Sequence, residues 1–377
     1  MSLSAAELER YSRHVLLAEV GLAGQEKLRA ARVLVVGAGG LGAPAALYLA
    51  ASGVGTLGVA DGDRVELSNL QRQVLFTDAD VGELKAVVTG QRLDALNPEV
   101  TVVAHPFDLS PENAAELIGS YDLVIDGTDR IAARYLINDA CVILKKPVVF
   151  AAIHRFEGHA IAYVPGRGPC YRCLFPDATG GGAVSCAEAG VLGVLPGVLG
   201  TIEATEAIKL LLGLGQPLVG RLLTYDALDL QFHEFPVSRR TDCAVCGDAP
   251  SIVSIEAGST AVQDAAAPVR RIAPRELEEL LRHAAASGSS IRLIDVREPA
   301  EFAAGHLENA ELMPLGTLER DSATLDDVGL TVFMCRSGGR SLRACEIARR
   351  RGIREPANLE GGLSAWAALV DPTLRVA

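Results

Sequence analysis

The sequence predicts an α/β protein: a mostly parallel sheet that continues into antiparallel strands, followed by a second, smaller α/β module. Three observations predict it. From Arg32 to Ala151, short apolar runs such as RVLVVG, TLGVAD and YDLVID alternate with amphipathic stretches, the pattern of strands buried on both faces and joined by helices. Beyond Ala151 the apolar segments, near Gly158 to Val164 and Arg221 to Phe235, flank one long apolar helix from Gly197 to Leu212. From Arg270 alternation returns over roughly 110 residues, enough for a domain.

Composition bounds the answer. The chain has 377 residues, 49% of them apolar, which allows two or three domains of about 150 residues and excludes a disordered polymer. The net charge is −12 and both parts are acidic, so a nucleic-acid partner is not expected. The uncharged run Val33 to Ala60 is long enough for a bilayer, but its seven glycines and Pro44 fit a buried strand, turn and helix instead. The N-terminus, MSLSAAELERYSRH, has no apolar signal core, so a cytoplasmic protein with no membrane partner is expected. There, eight cysteines point to metal or catalysis before disulfides.

In order, the pattern predicts a helix over 5–30 interrupted at Gly21 and Gly24, a strand at 32–37, a helix over 41–52 and a strand at 56–61. A helix over 82–96, a strand at 100–105, a helix over 111–118, a strand at 121–126, a helix over 131–144 and a strand at 147–152 follow. The first block, residues 1–248, closes at CAVCG; residues 249–269 have neither period nor bulk and read as a linker. The second, residues 270–377, has helices at 274–283, 299–304 and 339–351 and strands IRLIDV and LTVFMC.

Gly37, Gly39 and Gly42 form GxGxxG between the first strand and its helix, with Asp61 at the end of the next strand. Such glycines let backbone approach a phosphate, the helix N-terminus attracts its charge, and the acid can accept from ribose hydroxyls, as in a Rossmann-like nucleotide site. The motif alone favours NAD. No GxxxxGK[ST] is present, which excludes P-loop chemistry. Polar residues concentrate after the second strand, in Asp61-Gly62-Asp63 and Ser68-Asn69-Leu70-Gln71-Arg72-Gln73, with Lys85 and Asp129 beyond. All fall at the carboxyl edge of a parallel sheet, where Arg72 and Lys85 are cations for phosphates and Asp129 suits Mg²⁺.

VLVVGAGGLGAPAALYLAASGVGTLGVADGDRVELSNLQRQ resembles the adenylation domain of ubiquitin-activating-type enzymes, above all the molybdopterin synthase adenylyltransferases and their thiamine-pathway relatives. The resemblance covers residues 1 to 249. It implies that Gly40, Asp61, Asn69, Arg72, Lys85 and Asp129 contact ATP or its metal, and that Arg13 reaches across a homodimer into the neighbouring site.

Cys170-Tyr-Arg-Cys173 and Cys243-Ala-Val-Cys246 are two CxxC pairs. Together they can close a tetrahedral Zn²⁺ site of structural type, with redox chemistry as the weaker reading; the resembling family has the same arrangement. Cys186 sits in a Gly-rich stretch ahead of a helix, where a thiolate is favoured. In some members of that family a cysteine here bonds the carrier protein, in others it does not, so a covalent role and a packing role both stand. Cys141 and Cys345 read as core residues.

In the second block, Cys335-Arg336-Ser337-Gly338-Gly339-Arg340-Ser341 follows an apolar strand and opens a helix, so backbone N–H groups and arginines favour a nucleophilic thiolate. A phosphatase loop has five residues between Cys and Arg; here there are four, which suits a persulfide better. With DVRE from Asp295, GHLENA from Gly305 and LEGGLSAW from Leu359, the block resembles a rhodanese domain. That implies that Cys335 carries sulfane sulfur, while Asp295, Arg297 and His306 shape the fold.

Adenylation followed by rhodanese is the arrangement of the molybdopterin synthase adenylyltransferase/sulfurtransferase family. It implies ATP-dependent adenylation of a ubiquitin-like sulfur carrier ending in Gly-Gly, then sulfur transfer, with a cysteine desulfurase or thiosulfate as donor. Molybdenum cofactor, thiamine, cysteine and tRNA thiolation pathways stay open. The alternatives are an NAD-dependent oxidoreductase with a regulatory rhodanese domain, and a zinc-stabilised scaffold whose nucleotide site is dead.

Overall fold

The computed structural model describes residues 3–176, 190–255, 269–287, 291–320 and 329–376. It divides into two compact units, Met1–Asp264 and Ala265–Ala377. No helix among the described residues is long and apolar enough to cross a membrane.

The first unit holds an eight-stranded sheet in the order β3-β2-β1-β4-β5-β6-β7-β8. Strands β1 (Arg32–Val36), β2 (Thr56–Ala60), β3 (Thr101–His105), β4 (Leu123–Asp126) and β5 (Val148–His154) run parallel. Strands β6 (Glu157–Tyr163), β7 (Arg221–Asp226) and β8 (Gln231–Pro236) continue the sheet antiparallel. Alternate residues of β1 enter different cores: Val33 and Val35 join one face, Leu34 and Val36 the other. Helices α4 (Gly42–Ala51) and α5 (Lys85–Leu96) cover the first face; α6 (Pro111–Gly119) and α7 (Ile131–Ile143) cover the second. The long helix α9 (Leu195–Leu212) packs on α4, β5 and β6 and ends at Gly213, whose φ of 72° stops it. A short helix α8 (Tyr171–Leu174) follows Cys170.

Three expectations change in detail. Residues 5–30 form three helices, α1 (Ala5–Arg10), α2 (Ser12–Val15) and α3 (Gly21–Ala30), because Ser4 caps the first with Glu7 and the chain turns at 16–20. The helix expected from Gly82 starts at Lys85, since Gly82 has a φ of +93°. The stretch after 248 begins packed: Ile252 donates its N–H to Ala244, and Ile252 and Ile255 lie against the second core.

The second unit is a five-stranded, all-parallel sheet in the order β11-β10-β12-β13-β9, formed by β9 (Arg270–Ile272), β10 (Arg292–Asp295), β11 (Ala310–Leu312), β12 (Thr331–Met334) and β13 (Pro356–Leu359). Residues of α10 (Pro274–Ser287) and α14 (Gly362–Leu369) pack on one face and of α12 (Leu315–Arg320) and α13 (Gly339–Arg350) on the other; α11 (Pro299–Ala304) links β10 to β11. Strands β9, β11 and β13 have no signal in the pattern, being three or four residues long.

Candidate active site

The sheet order reverses between β1 and β4, which opens a crevice at their carboxyl ends. Gly37 has a φ of +92°, and a side chain there would meet the Gly127 carbonyl oxygen at 2.7 Å; one at Gly42 would collide with Gly37. The crossing of β1, α4 and the 127–129 loop therefore accounts for these two glycines. It does not account for Gly39, where a Cβ would meet only Gln73 Nε2 at an ordinary 3.6 Å. The N–H groups of Gly39 and Gly40 find no acceptor among the described residues, so this turn offers open donors at a helix N-terminus.

The polar segment after β2 folds onto the turn. Arg72 Cγ lies 3.8 Å from a Cβ placed on Gly40, and its guanidinium donates to the Ser68 carbonyl at 2.9 Å. Asn69 is buried and accepts from the Glu66 N–H at 3.1 Å through Oδ1. Asp61 is buried and accepts from the N–H groups of Ala38, at 2.7 Å, and Asp63, at 2.8 Å, tying β2 to the glycine turn. Burial pushes the Asp61 carboxyl above its ordinary range, against the opposing hydrogen bonds and the Lys85 charge. Lys85, itself buried, reaches Asp63 at 3.1 Å and acts electrostatically on Asp61 and Asp108. Asp129 is exposed beside Arg130, which pairs with Asp108 at 2.8 Å and also feels Asp63 and Asp129. Glycines, acids and the cations Arg72 and Lys85 thus converge on one crevice, a setting for a polyphosphate with a divalent cation. Arg13 stands exposed on α2 with no ion pair among the described residues. Cys186 lies outside the described residues.

Under the crevice is a buried charged network. Arg134, on α7, donates to Asp126 at 2.6 Å, to the Thr128 carbonyl at 2.7 Å and to the Ala151 carbonyl at 2.9 Å, fixing the loop after β4. Glu203, on α9, is fully buried, and among the described residues its carboxyl oxygens make no well-formed hydrogen bond, the nearest influence being the Ala151 backbone. Burial pushes its carboxyl well up, Asp126 adds to the rise and Arg134 opposes it. His159 is pushed down to about 4, by burial first and Arg134 second. A carboxyl raised on folding contributes stability below its unfolded value and loses it as pH rises. Removing the ionisable group removes that loss, so the melting temperature of Glu203→Gln relative to wild type should climb between about pH 5 and about pH 8. A constant offset in melting curves across that range would exclude Glu203 as the buried acid.

The four CxxC sulfurs form a cluster in which all lie within 4.8 Å of one another. Cys170 and Cys243 approach to 3.6 Å and Cys173 and Cys246 to 3.4 Å, too far for disulfides at about 2.05 Å. Sulfurs tetrahedral about Zn²⁺, with bonds of about 2.3 Å, stand about 3.8 Å apart. The donor set therefore fits Zn²⁺, whose charge lets four thiolates share the space. Neighbouring groups hold the pairs: Asn138 accepts from the Tyr171 N–H at 2.8 Å, Asp139 takes two hydrogen bonds of 2.7 Å from Arg172, and the Arg240 N–H points at Cys173 Sγ at 3.4 Å. The fully buried Cys141 has its thiol pushed up by burial and belongs to the second core.

In the second unit Cys335 follows directly on β12, with 1% of its surface exposed. Its Sγ accepts from the Gly338 N–H at 3.1 Å, made possible by a φ of +96° at Gly338. The start of α14 clamps the loop from outside, as Leu363 and Ser364 donate N–H groups to the carbonyls of Cys335, at 2.8 Å, and Arg336, at 2.9 Å. Arg336 and Ser337 are exposed, whereas Arg340 is turned away into a two-pronged pair with Glu301 at 2.6 and 2.7 Å, which holds the Glu301 carboxyl down to about 2. Fully buried Arg297 binds Asp295 and the Gly305 carbonyl, bridging the ends of β10 and α11. His306 stacks on Phe302 at 3.8 Å. Cys345 packs in the core beside Cys335, its thiol pushed up by burial.

Comparison with known proteins assigns a family to each unit. The profile of the ThiF family matches residues 11–245 and that of the rhodanese-like domain residues 274–369. The chain belongs to the ThiF family. It is 42% identical to the probable adenylyltransferase/sulfurtransferase MoeZ of Mycobacterium tuberculosis, over 99% of this chain and 96% of MoeZ. Against the sulfur carrier protein adenylyltransferase of Thermus thermophilus identity is 55%, over 67% of this chain and 95% of that one. Among solved structures, E. coli MccB with ATP matches 65% of this chain and 75% of its own, with a TM-score of 0.54 and 25% identity. This ThiF-family chain is an adenylyltransferase and sulfurtransferase, joining an ATP-using adenylation fold to a rhodanese-like one.

Several residues of the site carry no local motif. Arg134, Asp139 and Glu203 emerge only from the fold. The available signal is the charge itself: Arg134 and Asp139 interrupt the apolar helix Ile131–Ile143, and Glu203 interrupts Leu195–Leu212. Charge there requires a buried partner or a shifted proton.

Proposed function

We propose that this enzyme adenylates the C-terminal glycine of a ubiquitin-like sulfur carrier ending in Gly-Gly and then passes it sulfane sulfur from Cys335. The observation that supports this most is buried Lys85 among Asp61, Asp63 and Asp108, next to a glycine turn whose N–H groups find no acceptor among the described residues and which Arg72 approaches.

The carrier carboxylate attacks the α-phosphate, forming a C–O–P linkage while pyrophosphate leaves with the bonding pair. No base is needed, since a carboxylate is already ionised at neutral pH. Lys85 and Arg72 bind phosphate oxygens, Gly37, Gly39, Gly40 and Gly42 shape the turn, and Asp61, Asp63 and Asn69 hold the nucleotide end. Asp129 would hold Mg²⁺, which supplies positive charge to phosphate oxygens. Arg13 would complete the site of a second copy in a homodimer. The Cys335 persulfide then attacks the acyl carbon and AMP leaves. A thiolate such as Cys186 would next attack Cys335 Sγ and release the thiocarboxylate, leaving a disulfide for a cellular dithiol to reduce. Thiosulfate or a cysteine desulfurase would reload Cys335, and Zn²⁺ on Cys170, Cys173, Cys243 and Cys246 would be structural. Hydride transfer gives Arg72, Lys85 and Asp129 no work.

The test is exchange of labelled pyrophosphate into ATP, with and without a Gly-Gly-terminated carrier. Carrier-dependent exchange is expected, reduced roughly 10²- to 10³-fold by Lys85→Ala, the scale for one preorganised charge. Exchange that ignores the carrier, or survives Lys85→Ala intact, would overturn the proposal.

A further inference from the structure

The Cys335 loop contains a polar chain not explained by the loop backbone. Ser341, fully buried in the first turn of α13, places its Oγ 3.3 Å from Cys335 Sγ. The same Oγ is 2.6 Å from Asn358 Oδ1 and 3.2 Å from the Gly338 carbonyl. Asn358 comes from β13, which pairs with β12 just ahead of Cys335, and is nearly buried. A hydroxyl has one hydrogen and three candidate acceptors here. With the carboxamide oxygen facing it, the hydroxyl donates to Asn358. With the amide group rotated, Asn358 Nδ2 donates to Oγ and the hydroxyl hydrogen is freed for the sulfur.

We propose that Ser341 is a further catalytic residue of sulfur transfer, a hydroxyl donor to Cys335 Sγ that Asn358 orients. The proposal rests on Cys335 as the sulfur carrier. In loading, the Cys335 thiolate attacks the outer sulfur of thiosulfate; an S–S bond forms, another breaks, and sulfite leaves with the electron pair. In discharge to cyanide the nucleophile takes the outer sulfur and Sγ leaves as a thiolate; on the carrier route Sγ regains that charge when a dithiol reduces the disulfide. Sγ carries charge before loading and after discharge but not as the bridging atom of the persulfide. A donor aimed at Sγ therefore stabilises the departing thiolate and makes it a better leaving group.

Other charged and titratable groups lie around this sulfur. Arg340 feels the Cys335 charge but is engaged by Glu301 of α11. Arg297 pairs with Asp295 and the Gly305 carbonyl through Nε and one Nη, its other Nη being buried without a partner among the described residues, and Arg336 lies exposed. Cys345, on α13, keeps its proton because it is buried. Ser341 is thus the side-chain donor that the described structure directs at Sγ, beside the Gly338 N–H.

Two measurements on the full-length enzyme test this. The first is the pH profile of Cys335 alkylation by iodoacetamide, followed on the Cys335 peptide by mass spectrometry. The second is the rate at which cyanide discharges enzyme preloaded with thiosulfate. In Ser341→Ala the alkylation midpoint should move up by about one pH unit and discharge should slow about tenfold, the scale of one hydrogen bond to a charged group. Ser341→Thr, which keeps the hydroxyl, should stay close to wild type, and Asn358→Ala should fall between. An unmoved midpoint in a folded Ser341→Ala enzyme overturns the proposal, as does equal loss in Ser341→Thr and Ser341→Ala. Failure of the wild-type enzyme to take sulfur from thiosulfate or a desulfurase would instead remove Cys335 as carrier; the alkylation profile still decides whether Ser341 donates to Sγ.

Discussion

Replacing Cys335 by alanine is expected to abolish thiocarboxylate formation while leaving carrier adenylation intact. Loss of a covalent nucleophile removes the route itself, so sulfur transfer should fall by at least roughly 10³-fold. The loop should survive, because its outer clamp uses the backbone carbonyls of Cys335 and Arg336, which alanine retains, and Gly338 keeps its left-handed turn. The residues proposed for adenylation lie in the other compact unit. Mass spectrometry of the carrier should therefore show acyl adenylate accumulating with no thiocarboxylate. Unchanged thiocarboxylate yield would remove Cys335 from the mechanism and leave its unit a binding or regulatory role.

The second large effect is expected from taking away the metal proposed for the four cysteines. Cys243 belongs to the second core together with Cys170 and Cys173, so the site joins segments separated by 70 residues of chain. Its supports reach the nucleotide crevice through α7. At one end Arg134 fixes Asp126 and the Thr128 carbonyl; one to two turns on, Asn138 and Asp139 hold the Cys170–Cys173 segment. Metal loss should thus loosen both. Each kcal/mol is worth about 2–4 °C in a domain of this size, so losing a few kcal/mol should lower the melting temperature of the first unit by roughly 10 °C. Calorimetry before and after chelation, and on Cys243→Ser, reads the shift; ATP binding should weaken alongside it. Protein purified without zinc and melting unchanged in chelator would sink the assignment.

Much of the fold is legible because burial on both faces forces β1, β2, β4 and β5 to be continuously apolar, a signal that survives in a single sequence. The short strands of the second unit are not legible. Pro356-Ala357-Asn358-Leu359 has no alternation and begins with proline, yet it lies between β12 and β9, where its neighbours supply the pairing. The three-way break of residues 5–30 is hidden in the same way, because Ser4 and Glu7 cap a helix of only six residues within an otherwise helical period.

The site divides along the same line. By itself the sequence determined the contiguous chemistry: the spacing of Gly37, Gly39 and Gly42, the run from Ser68 to Gln73, the two CxxC pairs and the loop opened by Cys335. Within each glycine, cysteine or polar run the groups are neighbours in the chain, so their spacing is already their geometry; that the two CxxC pairs meet is a matter of the fold. Only the tertiary structure decided which groups meet across it: Lys85 with Asp63, Arg134 with Asp126 below Glu203, Arg340 with Glu301, and Ser341 with Asn358 at the sulfur. The physical reason is that hydrophobic periodicity says which face of an element turns inward but not what it meets there, and a buried charge or hydroxyl takes its role from that partner.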